Sequence, residues 1–216
     1  MAKMKRKELV NSPDEFMAKS GSVLKWIKEN QKRFITLCVI IALIITSITG
    51  FVYWRGNRER SAMVAYQASQ GSQEILQEIS QKYGDTRAGK LSQLQLASLN
   101  FEQNNFVEAI DYADNFINSW GHKDLFYWQA ILITTSASIN QEKYNETLPL
   151  LDSCIQDAPE SLKNQARYIK GLVLKDLGKY QDSRDILMKV SGQYMNLARV
   201  ELSDLDLQPV EKIDGK

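Results

Sequence analysis

His122 is the single imidazole in the chain, and Cys38 and Cys154 are its two thiols. To act as a nucleophile a thiol needs a base within hydrogen-bond reach, or surroundings that lower its pKa. His122 stands between Trp120-Gly121 and Lys123-Asp124, which reads as a loop, whereas Cys154 sits beside Leu150, Leu151 and Ile155 in an apolar helical pattern. No nucleophile–base pair can be assembled from them. One histidine also leaves zinc sites and serine triads short of members. The carboxylates Asp111, Asp114, Asp182 and Asp185 fall at helical spacing on outer faces, where solvation is the default. Asp204 and Asp206 lack the ligand loop that an EF-hand requires, and no glycine-rich phosphate cradle is present. The expectation is a protein that is not an enzyme and has no cofactor or metal, so function must lie in the elements that would otherwise position such groups.

Those elements belong to a folded chain. Of 216 residues, 44% are hydrophobic and 25% charged, which excludes disorder; four Pro and eleven Gly are too few for a low-complexity linker. Two cysteines cannot build a disulfide framework. The formal charge of +1 hides an asymmetry: residues 1–33 hold nine basic and four acidic side chains, residues 61–216 fifteen and twenty-one.

Between them, residues 34–54 contain no charge: sixteen apolar side chains, four Ser or Thr, and Gly50. A helix of this length measures about 32 Å, against a hydrocarbon core of about 30 Å. Ile40, Ile41, Leu43, Ile44 and Ile45 point all round the axis, unlike the apolar stripe of a soluble helix. A cleaved signal peptide is the other reading of an apolar run behind basic residues. Against it stand the 33-residue leader, the length of the run, and Phe51, Val52, Tyr53 and Trp54 where small residues should precede cleavage. Such aromatics suit a membrane interface. An uncleaved transmembrane helix is expected. Lys19, Lys25, Lys28, Lys32 and Arg33 precede it, against Arg55, Arg58 and Arg60 after it, which favours a cytoplasmic N-terminus. In a bacterium the acidic bulk would then be periplasmic, and Cys154 would have no partner there for a disulfide.

In the basic tail, Ser12, Pro13 and Glu15 read as a helix start. Met17, Val23, Leu24, Trp26 and Ile27 interleave with lysines, so the stretch could lie on anionic lipid or simply signal topology. Membrane anchoring accounts for the charge without nucleic acid.

From residue 61 to 206 nearly every apolar pattern has helical period. Three stretches share one spacing: a small residue, an aromatic nine positions on, and a second small residue three further. They are Ala97, Phe106, Ala109; Thr135, Tyr144, Thr147; and Gly171, Tyr180, Ser183. The aromatics lie 38 and 36 residues apart, near the 34 of a helix-turn-helix repeat. Two antiparallel helices approach closely only where small side chains cross, and an aromatic at the second helix's start can wedge the pair. Asn104-Asn105 and Gly178-Lys179 supply turn chemistry. Pro149 should fall near the first turn of its helix, and Pro159 should close the middle repeat. The expected fold is all-α: one transmembrane helix, then a short α-solenoid of antiparallel helix pairs. Its divisions are a basic tail with juxtamembrane helix (1–33), the spanning helix (34–54), membrane-proximal helices forming a candidate degenerate repeat (55–89), three repeats (90–195), and a capping helix with tail (196–216).

The repeats resemble tetratricopeptide (TPR) repeats, and the chain as a whole resembles the YfgM-type ancillary subunits of the bacterial SecYEG translocon. The likeness rests on Leu24-Lys25-Trp26-Ile27-Lys28-Glu29-Asn30 before a spanning helix, Ala65-Tyr66-Gln67 beyond it, Tyr83-Gly84, and Leu96-Ala97 through Phe106 to Ala109. It covers about residues 20–205. TPR repeats commonly carry an aromatic three residues after the first small one; this chain has Asn100, Ser138 and Leu174 instead. The resemblance implies an inner-membrane protein associated with SecYEG and a membrane-anchored periplasmic chaperone of the PpiD type, aiding exported client proteins.

First helices line the inner surface of such a solenoid, and that surface usually binds partners. In this register it includes Leu94, Phe101, Leu132, Ile139, Tyr168 and Leu172. Those side chains would suit an extended client, or would serve only to pack helix against helix. Two other roles fit the same sequence: a regulator holding a cytosolic partner through residues 2–33, and a scaffold for envelope assembly or cell division.

Overall fold

The computed structural model describes residues 25–206, and all regular structure among them is helical. The helix start at Ser12 to Glu15 and the tail over 207–216 lie outside the described residues. Two compact units divide between Asn57 and Arg58.

In the first unit the apolar run lies within helix α1 (Gln31–Ala68), 38 residues and so about 57 Å long. The uncharged run over 34–54 and the start of the stretch expected to hold membrane-proximal helices (55–89) are thus one element; Gly50 and Gly56 lower helix propensity without breaking it. Every side chain from Ile35 to Trp54 is exposed, Leu43 at 62% and Val52 at 62%. The helix is long and apolar enough to cross a membrane. Its hydroxyls are compatible with lipid, because each turns back on its own helix. Thr36 donates to the carbonyl of Lys32 at 2.9 Å, and Thr46, Ser47 and Thr49 donate to those of Ala42, Leu43 and Ile45 at 2.8 Å.

The second unit continues with α2 (Gln73–Lys82), α3 (Arg87–Glu102), α4 (Phe106–Trp120), α5 (Leu125–Ile139), α6 (Tyr144–Asp157), α7 (Glu160–Asp176), α8 (Tyr180–Leu187), a 3₁₀ turn (Gly192–Tyr194) and α9 (Met195–Asp206). Helices α3–α4, α5–α6 and α7–α8 form three antiparallel pairs, each packed on the next. Local chemistry sets their ends. Thr86 caps α3, accepting the Gly89 N–H at 3.1 Å, and Glu59 accepts the Arg87 N–H at 2.8 Å. Asp124 caps α5, its carboxylate taking the N–H groups of Phe126 and Tyr127 and, at 2.8 Å, the indole N–H of Trp120. Thus the side chain that starts α5 also ties down the end of α4. Pro149 is the sixth residue of α6, deeper than its expected place near the first turn, and it lies on the exposed side.

The three turns inside the pairs are built alike. Asn104, Glu142 and Gly178 adopt left-handed backbone with φ of 62°, 60° and 73°. The N–H of the following residue reaches back five positions: Asn105 to Asn100 at 2.8 Å, Lys143 to Ser138 at 3.0 Å, Lys179 to Leu174 at 2.8 Å. Asn100, Ser138 and Leu174, which stand where TPR repeats favour an aromatic, are all buried. In the middle turn glutamate takes a conformation that costs a residue with a Cβ about 1–2 kcal/mol.

The core is three clusters, of which the first two share Ile117 and Tyr127. Phe116, Trp120 and Ala130 join α4 to α5; Trp128, Leu151, Cys154 and Leu162 join α5, α6 and α7; Leu187, Val190, Ala198 and Leu205 close the C-terminal end. Helix α9 stands where the capping helix was expected within 196–216, beginning at Met195.

Candidate functional site

The small residues of the repeats lie where the helices of each pair cross. Ala97, Ala109, Thr135, Thr147 and Ser183 are fully buried, and Gly171 is buried with them. Closeness is extreme at Gly171, where a Cβ would stand 2.4 Å from the Leu187 side chain. Its carbonyl accepts the Ser183 hydroxyl at 2.7 Å, joining the two small positions of that repeat directly. Phe106, Tyr144 and Tyr180 open α4, α6 and α8 and are half-buried; Phe106 packs its ring 5.7 Å from that of Phe101.

A concave cavity of about 430 Å³ opens on the first helices of the pairs. Helix α3 contributes Leu91, Gln95 and Ser98, and α5 contributes Gln129, Ile133 and Ser136. Each set has the spacing i, i+4, i+7, one face of a helix. Leu94 and Leu132 lie between these rows as a floor, 9% and 4% exposed, and Phe101 joins them. Phe126 comes from the start of α5, Leu162 and Gln165 from α7, and Tyr66 from the last turns of α1. Helices α4, α6 and α8 contribute nothing to it.

Three of the residues expected on the inner face lie elsewhere. Ile139 packs against the cluster around Trp128 and Leu151. Tyr168 stacks on Tyr194 at 5.8 Å beside Leu187 and Val190, because the solenoid ends there and the 3₁₀ turn covers α7 where another pair would otherwise stack. Leu172 is half-buried and outside the cavity. Conversely, Leu91, Gln95, Gln129, Ile133 and Gln165 do line it and were not anticipated. Their signal was available: a helical row one step round from Leu94 and Leu132, with glutamine as its polar member.

The chain's nucleophile candidates do not converge here. His122 is exposed in the loop between α4 and α5, and Cys154 is fully buried in α6. Burial pushes the Cys154 thiol up to about 11, with Lys163 opposing weakly. Asp111, Asp114, Asp182, Asp185, Asp204 and Asp206 are exposed, and among the described residues no three metal-ligating side chains cluster.

The family described as "Tetratricopeptide repeat-like domain" matches residues 24–204, the apolar helix as well as the repeats. The chain belongs to that family. No curated protein and no solved structure gives a match. The TPR-like solenoid explains the cavity's position: antiparallel pairs that stack with a constant rotation turn their first helices toward one another and curve round the surface those helices share.

Proposed function

We propose that the protein is a single-pass inner-membrane protein with a cytoplasmic N-terminus, whose TPR-like solenoid is a periplasmic docking module for other polypeptides. One observation carries this reading: the rows 91-95-98 and 129-133-136 repeat at the same spacing along one concave surface. A repeated row suits a ligand that is itself repetitive, and the polypeptide backbone is one. The uncharged α1 segment, exposed round its whole circumference, supports anchoring in lipid. By resemblance to YfgM-type subunits, the module would work beside SecYEG and a PpiD-type chaperone, receiving exported chains. Tethering favours such a role, since it raises the local concentration of the groove to the order of millimolar near an exit pore and lets weak affinity suffice.

The test places a photoreactive amino acid at Ile133 of the full-length protein in membranes translocating an arrested exported chain. Adducts to that chain, together with co-purification of the translocon from gently solubilised membranes, are expected. One dominant folded envelope protein in place of exported chains would favour the scaffold. If removing residues 2–20 abolished capture of a cytosolic partner and left export unaffected, the regulator would be favoured.

A further inference from the structure

We propose, resting on the docking reading above, that the groove takes an internal, extended polypeptide segment that is uncharged where it crosses α3, α5 and α7, and selects it largely through its backbone. A quarter of the chain is charged, yet among the described residues none that lines the groove is Asp, Glu, Lys, Arg or His. The acids of the cavity helices, Glu102 on α3 and Glu160 and Asp176 on α7, lie outside its lining, as do Glu108, Asp111 and Asp114 on α4 and Glu146, Asp152 and Asp157 on α6. A charged side chain entering the groove would shed water and meet no counter-charge. A chain end would fare no better, since its carboxylate would find no cation; hence an internal segment.

The polar groups in the groove suit a backbone. Gln95, Gln129 and Gln165 come one from each first helix, and each offers donors and an acceptor on one amide. Among the described residues none of these three side-chain amides has a hydrogen-bond partner within the protein, although the backbone of each is paired in its helix. Ser98 and Ser136 also leave their hydroxyls unused. Thr135, Thr147, Ser92 and Ser183, away from the groove, turn theirs onto carbonyls. A peptide backbone presents an N–H and a C=O at every residue, so unused amides pair with it regardless of side-chain identity. Between these amides, Leu91, Leu94, Leu132 and Ile133 form apolar seats for alternate side chains. With neighbouring helices about 8–10 Å apart, the path from α3 to α7 is about 20 Å, roughly six extended residues.

Full-length protein in detergent, titrated with fluorescein-labelled ten-residue peptides and read by anisotropy, tests this. The reference peptide contains only Leu, Ala, Ser and Gln; its variants carry two Lys or two Asp at the centre. Expected are binding of the reference peptide, affinity constant within twofold from 50 to 500 mM salt and after C-terminal amidation, and at least tenfold weaker binding of both charged variants. Gln129 is exposed at the rim, so Gln129→Glu should leave the fold intact, weaken the reference peptide and recover part of the Lys peptide's affinity. If charged peptides bound within threefold of the reference while Gln129→Glu still altered their affinity, the selectivity would be refuted and the docking reading would stand. If no peptide bound, or only a fatty acid did, and a photoreactive residue at Ser136 gave no adduct with translocating chains, both would fall.

Discussion

Cys154 lies fully buried beneath Leu151 and Leu162, and the same burial that fills the core holds its proton. An unfolded thiol titrates near 9.0, the folded one near 11, so the unfolded chain gives up its proton first. The resulting contribution is complete below pH 9 and is lost as pH rises toward 11, so stability should fall across that window. In a Cys38→Ser background, maleimide at pH 8 should leave the folded protein unlabelled and label it once urea is added; fast labelling without urea would show that α6 opens. Gly171 poses the opposite problem, a position that admits nothing larger. Gly171→Ala would drive a methyl into Leu187 and should destabilise by about 1–3 kcal/mol, read as a lower urea midpoint with an unchanged slope. Ser183→Ala, which removes a hydrogen bond without adding bulk, should cost about 1 kcal/mol.

At the level of elements the repeat is defined by its turn as much as by its helices. Asn104 and Gly178 meet the left-handed requirement cheaply, and Glu142 does not. Glu142→Gly should therefore stabilise the protein by about 1 kcal/mol, measured as a raised urea midpoint; a loss would mean that the glutamate side chain is itself used. This turn also shows what could be read from sequence. Small and aromatic residues at offsets of nine and three are short-range facts about two helices and one turn, so the pairs, their crossing points and the half-buried wedges Phe106, Tyr144 and Tyr180 were legible. The groove depends on how one pair rotates onto the next, and no local spacing encodes that angle. Leu94, Phe101 and Leu132 line the cavity from the helical face their spacing gives them, whereas Tyr168 lies against Tyr194, because nothing in α7 announces that the stack ends there. Gln95, Gln129 and Gln165 carry no such signal of their own, because polar residues on a helix read as solvated until neighbouring helices close a groove around them.

For the molecule as a whole, the question is what α1 does with its apolar length. Twenty consecutive exposed residues from Ile35 to Trp54 would aggregate in water. In lipid the same surface is the stable one: backbone groups are paired within the helix and each hydroxyl returns to a carbonyl four residues earlier. The balance can be tested by making lipid the worse solvent. Arginine near the centre of a spanning helix costs about 2.5–3.5 kcal/mol, and two such residues on opposite faces cannot both turn toward one interface. Ile41→Arg with Leu43→Arg, about 200° apart round the axis, should move full-length protein from the carbonate-resistant membrane pellet to the soluble or aggregated fraction. Val64→Arg, at an exposed position outside the uncharged run, should leave it in the pellet. Recovery of the wild-type repeats in the soluble fraction, beginning beyond Trp54, would instead mean that the apolar run is removed on export, and the solenoid would have to find its partners by diffusion with no help from a tether.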